Sequence, residues 1–261
     1  MSQRTTVDVV AERYIVMLLK GGVKVIEVQG LQKSFGQVQA LRGISFHCEP
    51  GKVTGLLGPN GAGKTTTIRI LSTILKPQSG NANVNGYDVI KEPDKVRASV
   101  GVVLENSGLY RRLTGDENVL YFADLANVPR AEAMQRMEFL YKLLEIDYGK
   151  RQAGTYSKGM AQKVNLVRSV IHNPPVLILD EPTAGLDVPS TVAVRTFVEQ
   201  QKGAGKTVLL STHLMNEVEL LCDYVYIINL GLIVAEGTPD ELKERTQSSN
   251  LEEAFMKVVK E

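Results

Sequence analysis

The stretch GPNGAGKTTT, residues 58–67, constrains this chain more than any other feature. It fits the pattern G-x-x-x-x-G-K-[ST], with Gly58, Gly63, Lys64 and Thr65 at the required positions. The apolar run VTGLL precedes it and IRILSTIL follows, so the pattern lies between an expected strand and an expected helix. Gly58, Gly61 and Gly63, with Pro59, Asn60 and Ala62 between them, let the backbone turn until successive N–H groups converge on phosphate oxygens. The helix that starts there points its positive dipole end at the same anion. In this geometry Lys64 supplies a point charge for the β- and γ-phosphates and the Thr65 hydroxyl a Mg²⁺ ligand. Thr66 is a further phosphate contact. The alternative, a glycine-rich turn with no ligand, leaves the agreement of pattern and context unexplained.

A second segment, PVLILDEPTAGLD (residues 175–187), completes the chemistry. A buried apolar strand delivers Asp180 at its carboxyl end, where α/β sheets place ligand-binding groups. Asp180 suits a Mg²⁺ partner acting through water, because Mg²⁺ dehydrates reluctantly. Glu181 projects differently from its neighbour and is placed to face a water in line with the γ-phosphate. A lone Asp-Glu pair is usually a solvated strand end; here it ends an apolar strand in a chain that already carries a phosphate loop.

Composition narrows the remaining classes. The chain has 261 residues, 43% hydrophobic and 23% charged, which suits a globular protein with ample core and argues against disorder. A formal net charge of +1 gives no nucleic-acid footprint and no polybasic membrane patch. The two cysteines, Cys48 and Cys222, form no C-x-x-C pair, so neither a zinc site nor an oxidising compartment is expected. No secretory signal is visible. Residues 1–22 contain an apolar run interrupted by Asp8, Glu12 and Arg13, far short of the ~20 residues that span a bilayer. A short helix packed on the body, or a start placed too far upstream, is expected there rather than a membrane anchor.

Along the chain, residues 24–36 alternate and then turn, a strand runs to about Glu49, and Val53–Leu57 is another. A helix is expected from Gly63 to about Leu75, then turn, strand and turn over 76–89, and a buried strand over 99–105. From about 108 to 172 the pattern is helical, ending at Asn173-Pro174-Pro175. Strand–helix alternation then returns with Val176–Asp180, a helix after Asp187, TVLLST, LMNEVELLC and the pair YVYIINL and LIVAEG. The order describes a nucleotide-binding α/β core with a helical insertion.

Taken together, these residues resemble the nucleotide-binding subunit of an ATP-binding cassette (ABC) transporter, from about Val25 to the C-terminus. The family's Walker A matches 58–65, its Walker B 176–181, its D-loop AGLD with Asp187, and its switch histidine His213 in STHLMNEVE. The resemblance implies a P-loop NTPase (RecA-like) core with an antiparallel β subdomain and an inserted α-helical subdomain at about 108–172, the whole being one ATPase domain over 23–261. It makes Phe35 the aromatic stacked on adenine. Lys64, Glu181 and His213 become the catalytic group.

Two segments depart from the family pattern. YSKGM, residues 156–160, stands where the family carries LSGGQ, the signature that clamps the γ-phosphate of ATP held by a partner subunit. Ser157 and Gly159 are retained; Tyr156, Lys158 and Met160 are not. Glu105 replaces the Q-loop glutamine, keeping a Mg²⁺-binding oxygen but losing the amide donor. Apart from the resemblance, Ser157 reads as a helix N-cap and Glu105 as a solvated loop acid. His213 follows an apolar strand at the ligand-facing edge, where a histidine near neutral pKa can donate to a γ-phosphate. His47 and His172 read as structural, the latter as a cation favoured at a helix end.

The resemblance therefore implies ATP and Mg²⁺ as ligands, a head-to-tail homodimer or heterodimer, and a separate integral-membrane permease, with no nucleic acid. It places the chain on the cytoplasmic face of the membrane. The C-terminal segment is similar to subunits of drug, sodium or polymer exporters. Two rivals remain: a soluble ABC ATPase acting on DNA or ribosomes, and an ATP-gated dimerisation module without hydrolysis.

Overall fold

The computed structural model describes residues 24–105 and 108–260; the expected short helix in residues 1–22 lies outside the described residues. Strands β1 (Ile26–Phe35), β2 (Val38–Cys48), β4 (Ser79–Val84) and β5 (Tyr87–Asp88) form an antiparallel sheet in the order β2-β1-β4-β5. A second sheet has the order β10-β9-β3-β8-β7-β6. Its strands are β3 (Val53–Leu57), β6 (Val100–Val103), β7 (Val176–Asp180), β8 (Thr207–Thr212), β9 (Tyr224–Asn229) and β10 (Leu232–Gly237). All its pairings are parallel except that of β10 with β9.

The parallel strands are buried on both faces, and their alternating side chains serve two cores. Val53 and Leu57, Leu177 and Leu179, Val208 and Leu210, and Val225 and Ile227 point into one. Leu56, Val176, Ile178, Leu209, Tyr226 and Ile228 point into the other, against Ile26, Leu31, Ile44 and Phe46 of the antiparallel sheet and Ile68 and Leu71 of α1 (Lys64–Leu71). The first core also takes in the helical segment: α3 (Gly115–Leu125), α4 (Arg130–Leu143) and α5 (Lys158–Val170) contribute Val119, Ala123, Leu140, Val164 and Val167. The helices between β6 and β7 therefore share the sheet's core.

Local chemistry sets the ends. Thr114 caps α3 with a full capping box to Glu117, and Thr238 caps α8 (Pro239–Thr246) in the same way with Glu241. Asp187 caps α6 (Val188–Gly203), while α7 (Met215–Leu221) and α9 (Leu251–Lys260) add Val218, Leu221, Leu251 and Phe255 to the first core. Expected boundaries move in two elements. Helix α1 stops at Leu71 rather than near Leu75, because Thr73 turns left-handed at φ 62° and the amides of Ile74 and Leu75 fold back to the Arg69 carbonyl. Ser99 belongs to a short helix, α2 (Pro93–Ser99), and β6 is shorter at both ends than the strand expected over 99–105. With seven mostly polar residues, α2 leaves no periodic signal in the sequence.

His172 also departs from expectation. Burial, opposed by its hydrogen bond to the Val100 carbonyl (3.1 Å), lowers its pKa, and nearby Lys206 and Arg136 add to the effect. The ring is a neutral donor, not a cation on a helix end. Its native pKa lies below the ordinary 6.5. Its contribution to stability is therefore complete above that value and is lost as pH falls through the lowered native one. In urea titrations, His172→Gln should lose less stability between neutral and mildly acidic pH than the parent chain; equal losses would contradict this reading.

Candidate functional site

The carboxyl ends of β3, β7 and β8 lie side by side, with Leu57 opposite Thr212 and Asp180 opposite Ser211. The phosphate loop, Asp180-Glu181 and His213 hang on these ends. After β3 the chain turns through the glycine-rich loop. A Cβ on Gly58 would lie 2.2 Å from the Ile228 carbonyl, so that position excludes any side chain. Gly61 and Gly63 adopt φ of 80° and 114°, a region that glycine enters without steric cost. Gly63 caps α1 with no side-chain partner for the free amides, leaving them to an anion.

Lys64 is 95% buried. Its Nζ donates to the carbonyls of Gly58 (2.7 Å) and Pro59 (3.1 Å) and lies 3.3 Å from Glu181 Oε1. That last contact lacks hydrogen-bond geometry: Oε1 is buried with no donor. Glu181 takes a left-handed backbone, φ 49°, with its amide bonded to the Ser211 carbonyl at 3.0 Å. This conformation is uncommon outside glycine and turns the side chain away from the direction that β7 would impose. Glu181 Oε2 sits 2.7 Å from His213 Nδ1. A carboxylate only accepts, so Nδ1 carries the proton in this pair.

Asp180 is fully buried. Its Oδ1 accepts from Ser211 Oγ at 2.5 Å and from Thr65 Oγ1 at 3.3 Å, while Oδ2 has no partner. The cleft above holds about 300 Å³ and is lined by Ala40, Asn60, Gly61, Gly63, Lys64, Thr65, Thr66, Glu105 and Glu181. The two halves of the sequence pattern thus meet in one cleft, with Glu105 on its wall.

Other expected residues lie outside that lining. Phe35, at the end of β1, is half exposed with Lys33 Nζ 5.5 Å above its ring. Ser157 caps α5 by accepting from the Met160 amide at 3.2 Å, and its side chain is exposed. Gly159 is buried, and a Cβ there would lie 2.2 Å from Ser190 Oγ, so it seats α5 against α6. Asp187 Oδ1 accepts from the Ser190 amide at 3.0 Å; hydrogen bonding from the Ser190 side chain and amide holds this carboxyl below its ordinary range. The Tyr156 hydroxyl meets the Gly115 amide at 3.1 Å, fastening YSKGM to the start of α3.

Two contributors escaped the sequence reading. Ser211 was one alternate residue of an apolar strand. Glu217 is an acid in α7, 99% buried, that accepts from Thr183 Oγ1 and from Thr212 Oγ1, the latter at 3.1 Å. Thr183 lies two residues past Glu181, and Thr212 immediately precedes His213. Glu217 therefore bridges the segments that carry both groups. Nothing in the sequence sets Glu217 apart from Asn216 and Glu219 of the same helix.

Comparison with known proteins fits this architecture. The model of the family described as "ABC transporter" matches residues 41–184. The ABC transporter ATP-binding protein NatA of Bacillus subtilis (strain 168) is 42% identical over 221 residues, 84% of this chain and 90% of that protein. The chain belongs to the ABC transporter ATP-binding family. The doxorubicin resistance ATP-binding protein DrrA of Mycobacterium tuberculosis is 40% identical over 84% of this chain and 67% of its own length. A solved structure described as an ATP-binding subunit of an ABC transporter superposes with a TM-score of 0.83 at 30% identity, covering 90% of this chain and 99% of that one. A nucleotide-free cassette superposes with a TM-score of 0.77 at 25% identity, over 89% and 99%. The chain is thus an ABC ATPase with a P-loop NTPase fold.

In this cassette, Glu217→Ala leaves the Thr183 and Thr212 hydroxyls buried without their acceptor. The expected loss is about 2–4 kcal/mol of stability, read from the urea midpoint. Glu217→Gln keeps one acceptor oxygen and should lose less; equal losses would show that the hydroxyl contacts contribute little.

Proposed function

We propose that the cassette hydrolyses MgATP as one half of a head-to-tail pair and powers export through a separate membrane permease. The observation that carries this reading is Glu181, set between Lys64 and His213 by its left-handed backbone, beside the phosphate loop.

In this reading the loop amides and Lys64 hold the β- and γ-phosphates, with Lys64 exchanging its Glu181 contact for phosphate oxygen. Thr65 and Asp180 hold Mg²⁺. The residues fit the ion: Asp180 keeps a buried oxygen without a donor, and the Thr65 hydroxyl already faces its other oxygen. Bound there, Mg²⁺ would neutralise phosphate charge, and Glu105 would offer it a further oxygen from the cleft wall. Glu181 orients and deprotonates the attacking water, while His213 exchanges its Nδ1–H contact with Glu181 for a γ-phosphate oxygen when ATP is bound. Phe35 stacks on the adenine.

Ser157 and Asp187 are exposed and outside the loop's own cleft, which supports a role across a pair of cassettes. Ser157, with the α5 amides behind it and Gly159, would face the γ-phosphate held by the partner. A solved cassette of the family, 23% identical, is described as dimeric. Among the described residues no helix is long and apolar enough to cross a membrane, which fits a permease carried by another chain and a place on its cytoplasmic face. Export is favoured by relatives named for daunorubicin, doxorubicin and linearmycin resistance. Neither homodimer nor heterodimer is favoured, and the near-neutral net charge speaks against a nucleic-acid partner.

Glu181→Gln is expected to reduce kcat by about 10²-fold or more, leave ATP affinity nearly intact and accumulate an ATP-dependent dimer in size-exclusion chromatography. Hydrolysis at the parent rate would remove Glu181 from the base role. Ser157→Arg is expected to bind ATP as a monomer but neither dimerise nor hydrolyse it. If Ser157 only caps α5, the variant instead loses about 0.5–2 kcal/mol of stability and keeps its ATP chemistry.

A further inference from the structure

Lys158 sits at the first position of α5, where the helix dipole disfavours a cation and no acid in the first turn offsets it. Its Nζ reaches across to donate to the Ala184 carbonyl. One turn further on, Gln162 Nε2 donates to the Pro182 carbonyl at 2.7 Å. Residues four apart share one face of a helix. Here that face grips two carbonyls of the strap 182–186, which leads from Glu181 to Asp187. A Cβ on Gly185, itself left-handed at φ 68°, would come within 2.8 Å of Lys158 Nζ. The strap's other side is held by Thr183 on Glu217, and its own turns run from the Ala184 amide to the Glu181 carbonyl (3.2 Å) and from the Leu186 amide to the Thr183 carbonyl (3.1 Å).

We propose that Lys158 and Gln162 are positioning residues that bind the strap to α5, so that YSKGM and Glu181 of the same chain move as one body. Neither side chain lines the phosphate cleft, so the pair acts through the backbone of Glu181 rather than on ATP. The φ of 49° at Glu181 is a costly conformation that persists only where its surroundings enforce it, and the strap is the covalent continuation of that residue. In a pair of cassettes, a signature seated on one nucleotide would thereby steady the carboxylate at the other. This last step rests on the function proposed above; the tether itself does not.

The test uses the full chain with Lys158→Met, Gln162→Leu, the double variant and Lys158→Arg. Hydrogen exchange followed by mass spectrometry should show faster exchange over 182–187 in the double variant, with Lys158→Arg close to the parent. In steady state the double variant should lose at least about tenfold in kcat, as misplacement of a reacting group does, with KM for ATP within about twofold. Lys158→Arg should recover most of the rate. In a Glu181→Gln background, Lys158→Met should leave the ATP concentration for half-dimerisation unchanged. Unaltered exchange over 182–187, an unaltered kcat, or a raised half-dimerisation concentration (which would put Lys158 on the partner's phosphates) each overturns the proposal. Loss of ATP-dependent dimerisation in Glu181→Gln alone would instead refute the paired-cassette reading, and the exchange measurement would still decide the tether.

Discussion

The hydrogen-bonded register of β3, β8 and β7 is the constraint on which the site depends. Leu57 faces Thr212 and Asp180 faces Ser211, so three strands end on one line. From that line the chain emits the phosphate loop, the pair Asp180-Glu181 and His213. Because strand side chains alternate with a period of two, a slip of one residue would turn Asp180 into the core and bring Leu179 to Ser211. The two apolar cores prevent such a slip, since Leu177 and Leu179 belong to one and Val176 and Ile178 to the other.

Electrostatics then decides what the cleft can accept. Among the described residues Lys64 is the one cation of its lining, against the carboxyl groups of Glu105 and Glu181, with Asp180 just beneath. Such a site does not attract a polyanion by charge alone. The amides at the start of α1 and a divalent cation have to make up the difference. Buried carboxylates are costly unless donors meet them. Hydroxyls do this for two of the buried acids, Ser211 and Thr65 on Asp180 and Thr183 and Thr212 on Glu217, while His213 meets Glu181. Serine and threonine at strand ends and in the strap thus keep the acids in place.

Sequence pattern carried the parallel strands, the phosphate loop and Asp180-Glu181, because each couples a local residue requirement to a period that can be counted. It failed where the cause was not local. Glu217 is defined by two hydroxyls, one 34 residues earlier and the other five residues before it. The left-handed turn at Glu181 has no glycine to announce it. Gly159 is retained from the family signature, and its packing role is invisible in the pattern: its missing side chain is what lets Ser190 approach. YSKGM reads as a weakened motif in sequence; in the fold, Tyr156 and Lys158 both fasten it to neighbouring segments.

The strand order has a consequence for how the chain is made. β3, which carries the phosphate loop, pairs only with β8 and β9. Both neighbours, Thr207–Thr212 and Tyr224–Asn229, come from the last quarter of the chain. A nascent polypeptide leaving the ribosome therefore holds an apolar strand and its glycine loop with no partner strand until Thr207–Thr212 has emerged. Such late, long-range closure is slow and leaves sticky surface open in the meantime. For this fold, the sheet that carries the phosphate loop waits on strands made far downstream of it.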